Sequence, residues 1–254
     1  MNVAAYTEAS RTYSVRMLAD VDVSVPAALI GNPARAAMLV ALLNGKPLAA
    51  GELARVAGIS PSTAGEHLAR LTASGLTTVT RSGRHRYYTL SSDEVAQALE
   101  CLQTIAPPRP VRSLRDARTG SALAFARSCY DHLAGQLALH LANALTAQGA
   151  LAPLVTAQRG TLLHAEHPLL AELGVEVPAR NSTSRRPMVR GCLDWTERQP
   201  HLAGQLGAAV LTALTSRAWL QPTNSRALHL TDDGRRNLGQ LLNIDPTTLR
   251  AATN

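Results

Sequence analysis

Apolar positions along the chain change period twice, and those changes divide it. They recur at helical spacing through residues 33–75, alternate over 76–90, and return to helical spacing after 92. A weaker pattern at Val15, Leu18, Val21 and Val23 comes first and breaks at Pro26, which predicts a flexible start with one short helix within residues 1–31. Asn32 suits an N-cap and Pro33 the first helical position, so Ala36, Met38, Leu39, Leu42 and Leu43 form the face of a helix that Asn44-Gly45 ends. A second helix is expected over roughly 49–56. Gly58 then supplies a sharp turn, Ser60 caps and Pro61 starts a third helix, whose Leu68 and Leu71 share one face as far as Gly75. The sum is helix, tight turn, helix.

Alternation from Leu76 to Leu90 around Arg81-Ser82-Gly83-Arg84-His85 predicts a β-hairpin with a basic tip. Ser91 or Ser92 caps the next helix, with Val95, Leu99, Leu102 and Ile105 at helical spacing and Asp93 and Glu94 in its first turn. Pro107, Pro108 and Pro110 end it and mark a domain boundary. The later half repeats itself. Cys129-Tyr-Asp131-His132-Leu-Ala-Gly-Gln-Leu137 returns as Cys192-Leu-Asp194, an insertion, and His201-Leu-Ala-Gly-Gln-Leu206, with further matches held at the same offset to Pro153 and Pro222. A tandem duplication follows, each copy expected as a long amphipathic helix with a short strand-and-helix ending, the two packing as a pseudo-twofold pair. The fold class is therefore mainly α: a winged helix-turn-helix over 32–106, a basic linker over 107–120, and a mostly helical, internally duplicated unit over 121–254, with repeats at about 125–175 and 190–245.

Composition narrows the function. The 254 residues carry 25 Lys and Arg against 18 Asp and Glu, a net charge of +7, which favours a polyanionic partner. The excess is local: Arg70, Arg81, Arg84 and Arg86 face only Glu66 between 60 and 90. No apolar run approaches the roughly 20 residues of a membrane span, and Asp20 and Asp22 interrupt the start before any export signal could form, so a cytoplasmic protein is expected. Three cysteines, Cys101, Cys129 and Cys192, fit free thiols rather than a disulfide framework. No dinucleotide-binding glycine pattern, phosphate-binding loop, Gly-x-Ser-x-Gly elbow or His-Glu-x-x-His occurs, so nothing in the sequence supports an enzyme.

A helix presented N-terminus first to the major groove places Ser60, Ser62, Thr63, Glu66, His67 and Arg70 against base edges and phosphates. Arg81, Arg84, His85 and Arg86 on the hairpin suit the backbone or the minor groove. Ala28-Leu-Ile-Gly-Asn32-Pro-Ala-Arg35, Gly51-Glu-Leu-Ala54, Ala57-Gly-Ile-Ser60-Pro-Ser-Thr63, His67-Leu-Ala-Arg-Leu71 and Gly83-Arg-His-Arg-Tyr-Tyr88 together resemble the winged-helix ArsR/SmtB family of bacterial repressors, over about residues 28–105. The resemblance implies a homodimer that occupies a double-stranded DNA operator and leaves it when an inducer binds. It departs from the family's metal sensors, which often carry a Cys-x-Cys pair on the first helix of the motif or Asp and His ligands on the helix after the wing. Here the first position reads Glu52-Leu-Ala-Arg55, and the later helix offers Asp93, Glu94, Glu100 and Cys101 but no His.

The repeat supplies a candidate inducer site instead. Cys129 and His132 are three apart, hence on one helical face, and Cys192 and His201 provide the same pair from the second copy. Thiolate plus imidazole is the ligand set that zinc or another thiophilic metal prefers, with Asp131 or Asp194 beside it. The competing readings are that these residues pack and cap duplicated helices, that the thiols are a redox sensor, that a small apolar inducer binds near Phe125, Trp195 and Trp219, or that the protein binds DNA with no inducer. Arg109, Arg112, Arg115 and Arg118 form a basic stripe after the prolines, either a solvated face or a DNA-backbone contact.

Overall fold

A computed structural model describes residues 21–107, 110–179, 186–245 and 247–249. Val15, Leu18, Pro108, Arg109 and the last five residues lie outside these. Among the described residues there are two large apolar cores, one on each side of the proline segment, and a small cluster of Cys129, Ala134, Cys192 and Ala203. Among the described residues no single helix is long and apolar enough to cross a membrane.

The first core belongs to a winged helix-turn-helix. Helix α1 (Ser24–Ile30) runs through Pro26, the residue expected to break it, because a proline in the first turn removes an N–H that has no intrahelical partner anyway. Helix α2 (Pro33–Leu42) is capped by Asn32, whose side chain accepts from the Ala34 and Arg35 amides, each at 3.1 Å. Strand β1 (Leu48–Ala49) leads to α3 (Ala50–Ala57), and Gly58 turns the chain at φ +65°, a conformation that costs a side chain about 1 kcal/mol or more. Helix α4 (Pro61–Ala73) follows. Strands β2 (Thr77–Ser82) and β3 (His85–Leu90) pair antiparallel in one register, β1 extends the sheet on the β3 side, and Gly83 at φ +57° makes the two-residue turn. Helix α5 (Asp93–Ile105), capped by Ser92, closes the unit. Met38, Leu39, Leu42, Leu53, Leu68 and Leu71 are fully buried at its centre, each contributing about 1.5–3 kcal/mol of burial.

The second half differs from the mostly helical expectation. Helix α6 (Leu114–Phe125) begins inside the stretch read as linker, and seven short strands follow among the described residues. Cys129 and His132 do not share a helical face. They close a hairpin of β4 (Arg127–Cys129) and β5 (His132–Ala134), paired Cys129 to His132 across the two-residue turn Tyr130-Asp131. Helix α7 (Gln136–Ala147) comes next, then β6 (Arg159–Gly160) and α8 (Pro168–Glu172). Strands β7 (Val189–Leu193) and β8 (Pro200–Ala203) form the second hairpin, paired Cys192 to His201, and α9 (Gly204–Ser216) follows. His201 therefore lies on a strand, and the insertion only lengthens the loop at 194–199. Strands β9 (Leu220–Pro222) and β10 (Leu228–Leu230) and helix α10 (Asp232–Leu242) are the last elements among the described residues.

Both matching stretches thus fold as hairpin then helix. Helix α9 packs on β5 and α7 on β8, so each helix lies against the other stretch's strand. The shared Gly135 and Gly204 have φ +91° and +86°, and a Cβ at either would stand 2.6–2.7 Å from a backbone oxygen of Ala124 or Pro187. Glycine is required there because the chain swings from strand to helix against another backbone.

Candidate functional site: a reading helix and a buried thiol–imidazole cluster

Ser60 caps α4, accepting from the Thr63 amide at 3.2 Å, and its hydroxyl also touches those of Ser62 and Thr63, both at 2.9 Å. Ala64, Leu68 and Leu71 turn into the core, which leaves Ser62, Thr63, Glu66 and Arg70 exposed along the opposite face. His67 is half-buried, with Nδ1 3.4 Å from Arg35, whose guanidinium also donates to the carbonyls of Leu29 and Ala28. On the hairpin Arg81 and Arg86 face each other directly, His85 faces Ser82, and Arg84 occupies the turn, all exposed. Like charges opposite one another destabilise a strand pair, so this arrangement fits an outside anion better than it fits the free hairpin. The stripe after the prolines divides: Arg112 precedes α6, while Arg115 and Arg118 lie exposed on it.

The second site is internal. The Cys129 sulfur, the His132 imidazole, the Cys192 sulfur and the His201 imidazole offer ligand atoms that all lie within 4.8 Å of one another. Their side chains come from facing strands of the two hairpins, and the residues are 3%, 2%, 7% and 0% exposed. The imidazoles stack with centroids 5.1 Å apart. Each histidine sits by the aspartate of its own stretch: His132 Nδ1 is 3.2 Å from Asp131, and His201 Nδ1 is 3.8 Å from Asp194, beyond hydrogen-bond range. Neither Nε2 has a partner at hydrogen-bond geometry. A buried polar atom left unpaired costs about 1–3 kcal/mol, and a carboxylate behind one ring nitrogen leaves the other as a metal ligand.

The charges are held in place from outside the cluster. Asp194 meets Arg127 at 2.9 Å with both side chains fully buried, accepts from the Thr196 hydroxyl at 2.6 Å and from the Gly135 amide at 2.7 Å, and Trp195 covers the Arg127 guanidinium at 4.7 Å. Burial pushes the Asp194 carboxyl up, but Arg127 and these donors outweigh it and hold it at about 2. Asp131 is held at about 2, against burial, by Arg186 and His132. The hydrogen bond from Cys129, then the two imidazoles nearby, bring the Cys192 thiol well down, whereas burial pushes the Cys129 thiol up. Burial works against charge on His132, but Asp131 and the Cys192 sulfur raise it to about 10; burial brings His201 down. Two cysteines and two histidines form a donor set whose protons a cation can replace.

Two residues from the first unit reach this site, and the sequence did not single them out. Glu100 of α5 is 5% exposed and lies 2.5 Å from the Cys129 sulfur and 3.1 Å from the Cys192 sulfur. Burial raises its carboxyl to about 7. Asp93 at the start of α5 meets Arg186 at 3.2 Å, and Arg186 also donates to Asp131 at 2.7 Å. The hairpin turn completes the seam, since the Tyr130 amide donates to the Leu43 carbonyl at 2.8 Å and a Cβ on Gly45 would collide with the Tyr130 carbonyl oxygen. A legible signal for Glu100 existed: it lies four residues after Ala96 and next to Leu99, on the apolar face of α5. A cleft of about 300 Å³ lined by Asp93, Glu94, Glu100, Asp131, Arg186 and Arg190 opens onto the cluster. Cys101 is exposed.

Residues 30–80 match a family of helix-turn-helix domains. The Bacillus subtilis (strain 168) protein described as the uncharacterized HTH-type transcriptional regulator YdfF is 39% identical over 223 residues, which cover 85% of this chain and 95% of that protein. The chain belongs to the HTH-type transcriptional regulators. Its N-terminal unit has the winged helix-turn-helix fold of such regulators. Among solved structures the regulator is similar to HlyU from Vibrio cholerae, 33% identical over 32% of this chain and 88% of that one with a TM-score of 0.31. It is also similar to the cadmium metal-sensor CMTR from Mycobacterium tuberculosis, 31% identical over 37% of this chain and 100% of that one with a TM-score of 0.29.

Proposed function

We propose that the regulator is a homodimeric repressor that reads a symmetric operator with α4 and the wing and is released when a thiophilic metal ion, zinc by its chemistry, occupies Cys129, His132, Cys192 and His201. The observation that carries this is the pair of unpartnered imidazole Nε2 atoms beside two sulfurs, all four ligand atoms within 4.8 Å and buried. Tetrahedral zinc with sulfur at about 2.3 Å and nitrogen at about 2.0 Å places its ligands roughly 3.5 Å apart, a contraction that small side-chain movements supply. In the reading unit, Ser60, Ser62, Thr63, Arg70, Arg81, Arg84, His85 and Arg86 are assigned to phosphates and Glu66 to a base edge, with His67 set in place by Arg35. Exposed Val23 and Val25 at the start of α1 and Leu102 and Ile105 on α5 supply apolar area for a second copy. The shared fold of the two hairpin–helix stretches supports an origin by duplication.

The test uses full-length protein. Zinc affinity is measured by competition with a chromophoric chelator, and operator affinity, on a duplex selected from a random pool, is measured with and without zinc. Wild type is expected to take one zinc per chain and lose operator affinity at least tenfold, while Cys129→Ser and Cys192→Ser bind the duplex and ignore zinc. Equal zinc affinity in wild type and both variants removes the site. A thiol sensor is the second reading, favoured by the lowered Cys192 thiol. It predicts release by a disulfide oxidant in metal-free buffer, reversed by dithiothreitol and absent from both serine variants.

A further inference from the structure

The cleft outside the cluster carries a positive charge that no acidic side chain answers. Asp93 and Asp131 are both held by Arg186, and Glu100 lies on the two sulfurs, so most charged groups along its walls have partners. Glu94 is exposed in the first turn of α5. Arg190 is half-buried on β7, the central strand of its sheet, and among the described residues its guanidinium makes no hydrogen bond or ion pair.

The strands beside β7 add a second free cation. Across the ladder Arg190 faces Ala203 on β8 and Arg159 on β6. Residues directly opposite on antiparallel strands have Cβ atoms about 4.5–5.5 Å apart and point to one face, here the face that also carries Cys192, two residues along β7. Arg159 is exposed, and its guanidinium is likewise without a partner among the described residues. Like charges so placed oppose strand pairing, whereas two planar forks side by side match the oxygens of a phosphate or carboxylate. We infer that the cleft is an effector site for a small organic oxyanion, a phosphate or carboxylate compound whose charged group is gripped by Arg190 and Arg159 and whose body lies between the two units. The grip uses none of the four proposed metal ligands, so this site stands or falls apart from the metal reading.

The rest of the cleft suits such an occupant. Its volume of about 300 Å³ lies at the lower end of the roughly 300–1,000 Å³ usual for small-molecule sites. The Gln97 amide and the Tyr130 hydroxyl line it and have no hydrogen-bond partner among the described residues, so both are free to orient the polar groups of a ligand. One wall is α5, which directly follows wing strand β3, and the other belongs to the second unit. An occupant therefore touches both units at once. Its affinity depends on how they sit together, and by reciprocity its binding favours the arrangement that grips it, which α5 passes to the wing.

The test uses full-length protein freed of metal by a chelator, so its outcome does not depend on zinc. Inorganic phosphate, glycerol 3-phosphate and succinate are titrated calorimetrically at fixed ionic strength into wild type, Arg190→Gln, Arg190→Lys, Arg159→Gln and Arg115→Gln, the last removing an exposed arginine of α6 outside the cleft. Wild type is expected to take one organic probe per chain with a Kd of about 1 mM or tighter, and inorganic phosphate, which has no body to fill the cleft, at least tenfold more weakly. Arg190→Gln should lose at least tenfold in affinity and Arg159→Gln at least threefold. Arg190→Lys, which keeps the charge and loses the fork, should fall between Arg190→Gln and wild type, and Arg115→Gln should match wild type. Tighter binding of glycerol 3-phosphate assigns the site to phosphoryl compounds, and tighter binding of succinate assigns it to carboxylates. Amide exchange in 93–105, followed by mass spectrometry near the wild-type Kd, should slow in wild type and not in Arg190→Gln. No saturable binding of any of the three probes in wild type overturns the site. Equal losses in Arg190→Gln and Arg115→Gln reduce it to anions gathering on a basic surface, and binding without any change in 93–105 overturns the effector role.

Discussion

The two units of this regulator are stabilised by different physics. The winged helix buries Met38 and a set of leucines from its helices and strands, with few polar side chains beyond Glu100, which leaves it for the other unit. The second unit has a larger apolar core but also encloses Arg127, His132, Asp194, His201 and Arg226 together with two cysteines. Apolar packing tolerates small adjustments and is indifferent to ions, which suits a scaffold that must present one helix face rigidly. Buried charge is different, because each group holds only while its partners keep their protonation, and a unit built on it changes when those partners change. The proposed division of labour between reading and responding matches what each core contains.

The largest effect expected from breaking this contrast is at Asp194. Asp194→Ala leaves Arg127 buried without its partner and the Gly135 amide without its acceptor, and should destabilise the second unit by about 3–5 kcal/mol. Both tryptophans, Trp195 and Trp219, lie in that unit, so urea unfolding followed by tryptophan fluorescence reports it selectively. A loss below about 0.5 kcal/mol, the range of an ordinary surface change, would show that the buried ion pair does not support this core.

A smaller effect sharpens the contrast from the other side. Glu66→Gln on the exposed face of α4 should change preference among operator variants by about 1–3 kcal/mol at a single base pair. The zinc response should stay as in wild type, because Glu66 lies in the other unit on a face turned to solvent. A uniform loss of affinity across duplexes, measured by competition with single-base variants, would make Glu66 a positioning residue. Smaller again is Ser60→Ala, which removes the α4 cap and should cost about 1 kcal/mol by circular dichroism while leaving the tryptophan-reported transition nearly in place. A matching shift in the tryptophan signal would mean the two units unfold as one.

The winged helix was legible because its signals are local. Asn32-Pro33, Gly58, Ser60-Pro61 and Gly83 each impose a backbone conformation that no distant contact has to supply. The second unit was legible in its repetition and not in its geometry. Cys129 and His132 stand three apart, which suits a helix, yet Tyr130 adopts φ +60° and turns the chain into a hairpin against Leu43 and Gly45. That turn is fixed by tertiary contact and carries no Asn-Gly or Gly-Gly signal. The four candidate ligands still meet because pairing across a hairpin brings residues together as well as a helix turn does. Glu100 was marked only by its place on the apolar face of α5, and what it meets there depends on the second unit that covers it.

The last prediction concerns Arg86 and should give the smallest change in stability, with opposite signs in the free and bound states. Arg86 faces Arg81 across the hairpin, and like charges directly opposite oppose strand pairing by a few tenths of a kcal/mol to about 1 kcal/mol. Thr suits a strand at least as well as Arg, so Arg86→Thr should stabilise the free protein slightly. Bound to DNA the sign reverses. If the wing lies on phosphates, the pair is neutralised there, and each phosphate that goes unneutralised lowers the slope of log affinity against log salt by about 0.9. Arg86→Thr should therefore melt slightly higher and bind every duplex more weakly at low salt, with a slope reduced by about one. Arg84→Ala at the turn has no opposite cation to relieve, so it should reduce the slope equally without the gain in melting temperature. Unchanged slopes in both variants would take the wing out of the interface, and a slope change without the thermal difference would mean that Arg81 and Arg86 do not feel each other across the hairpin.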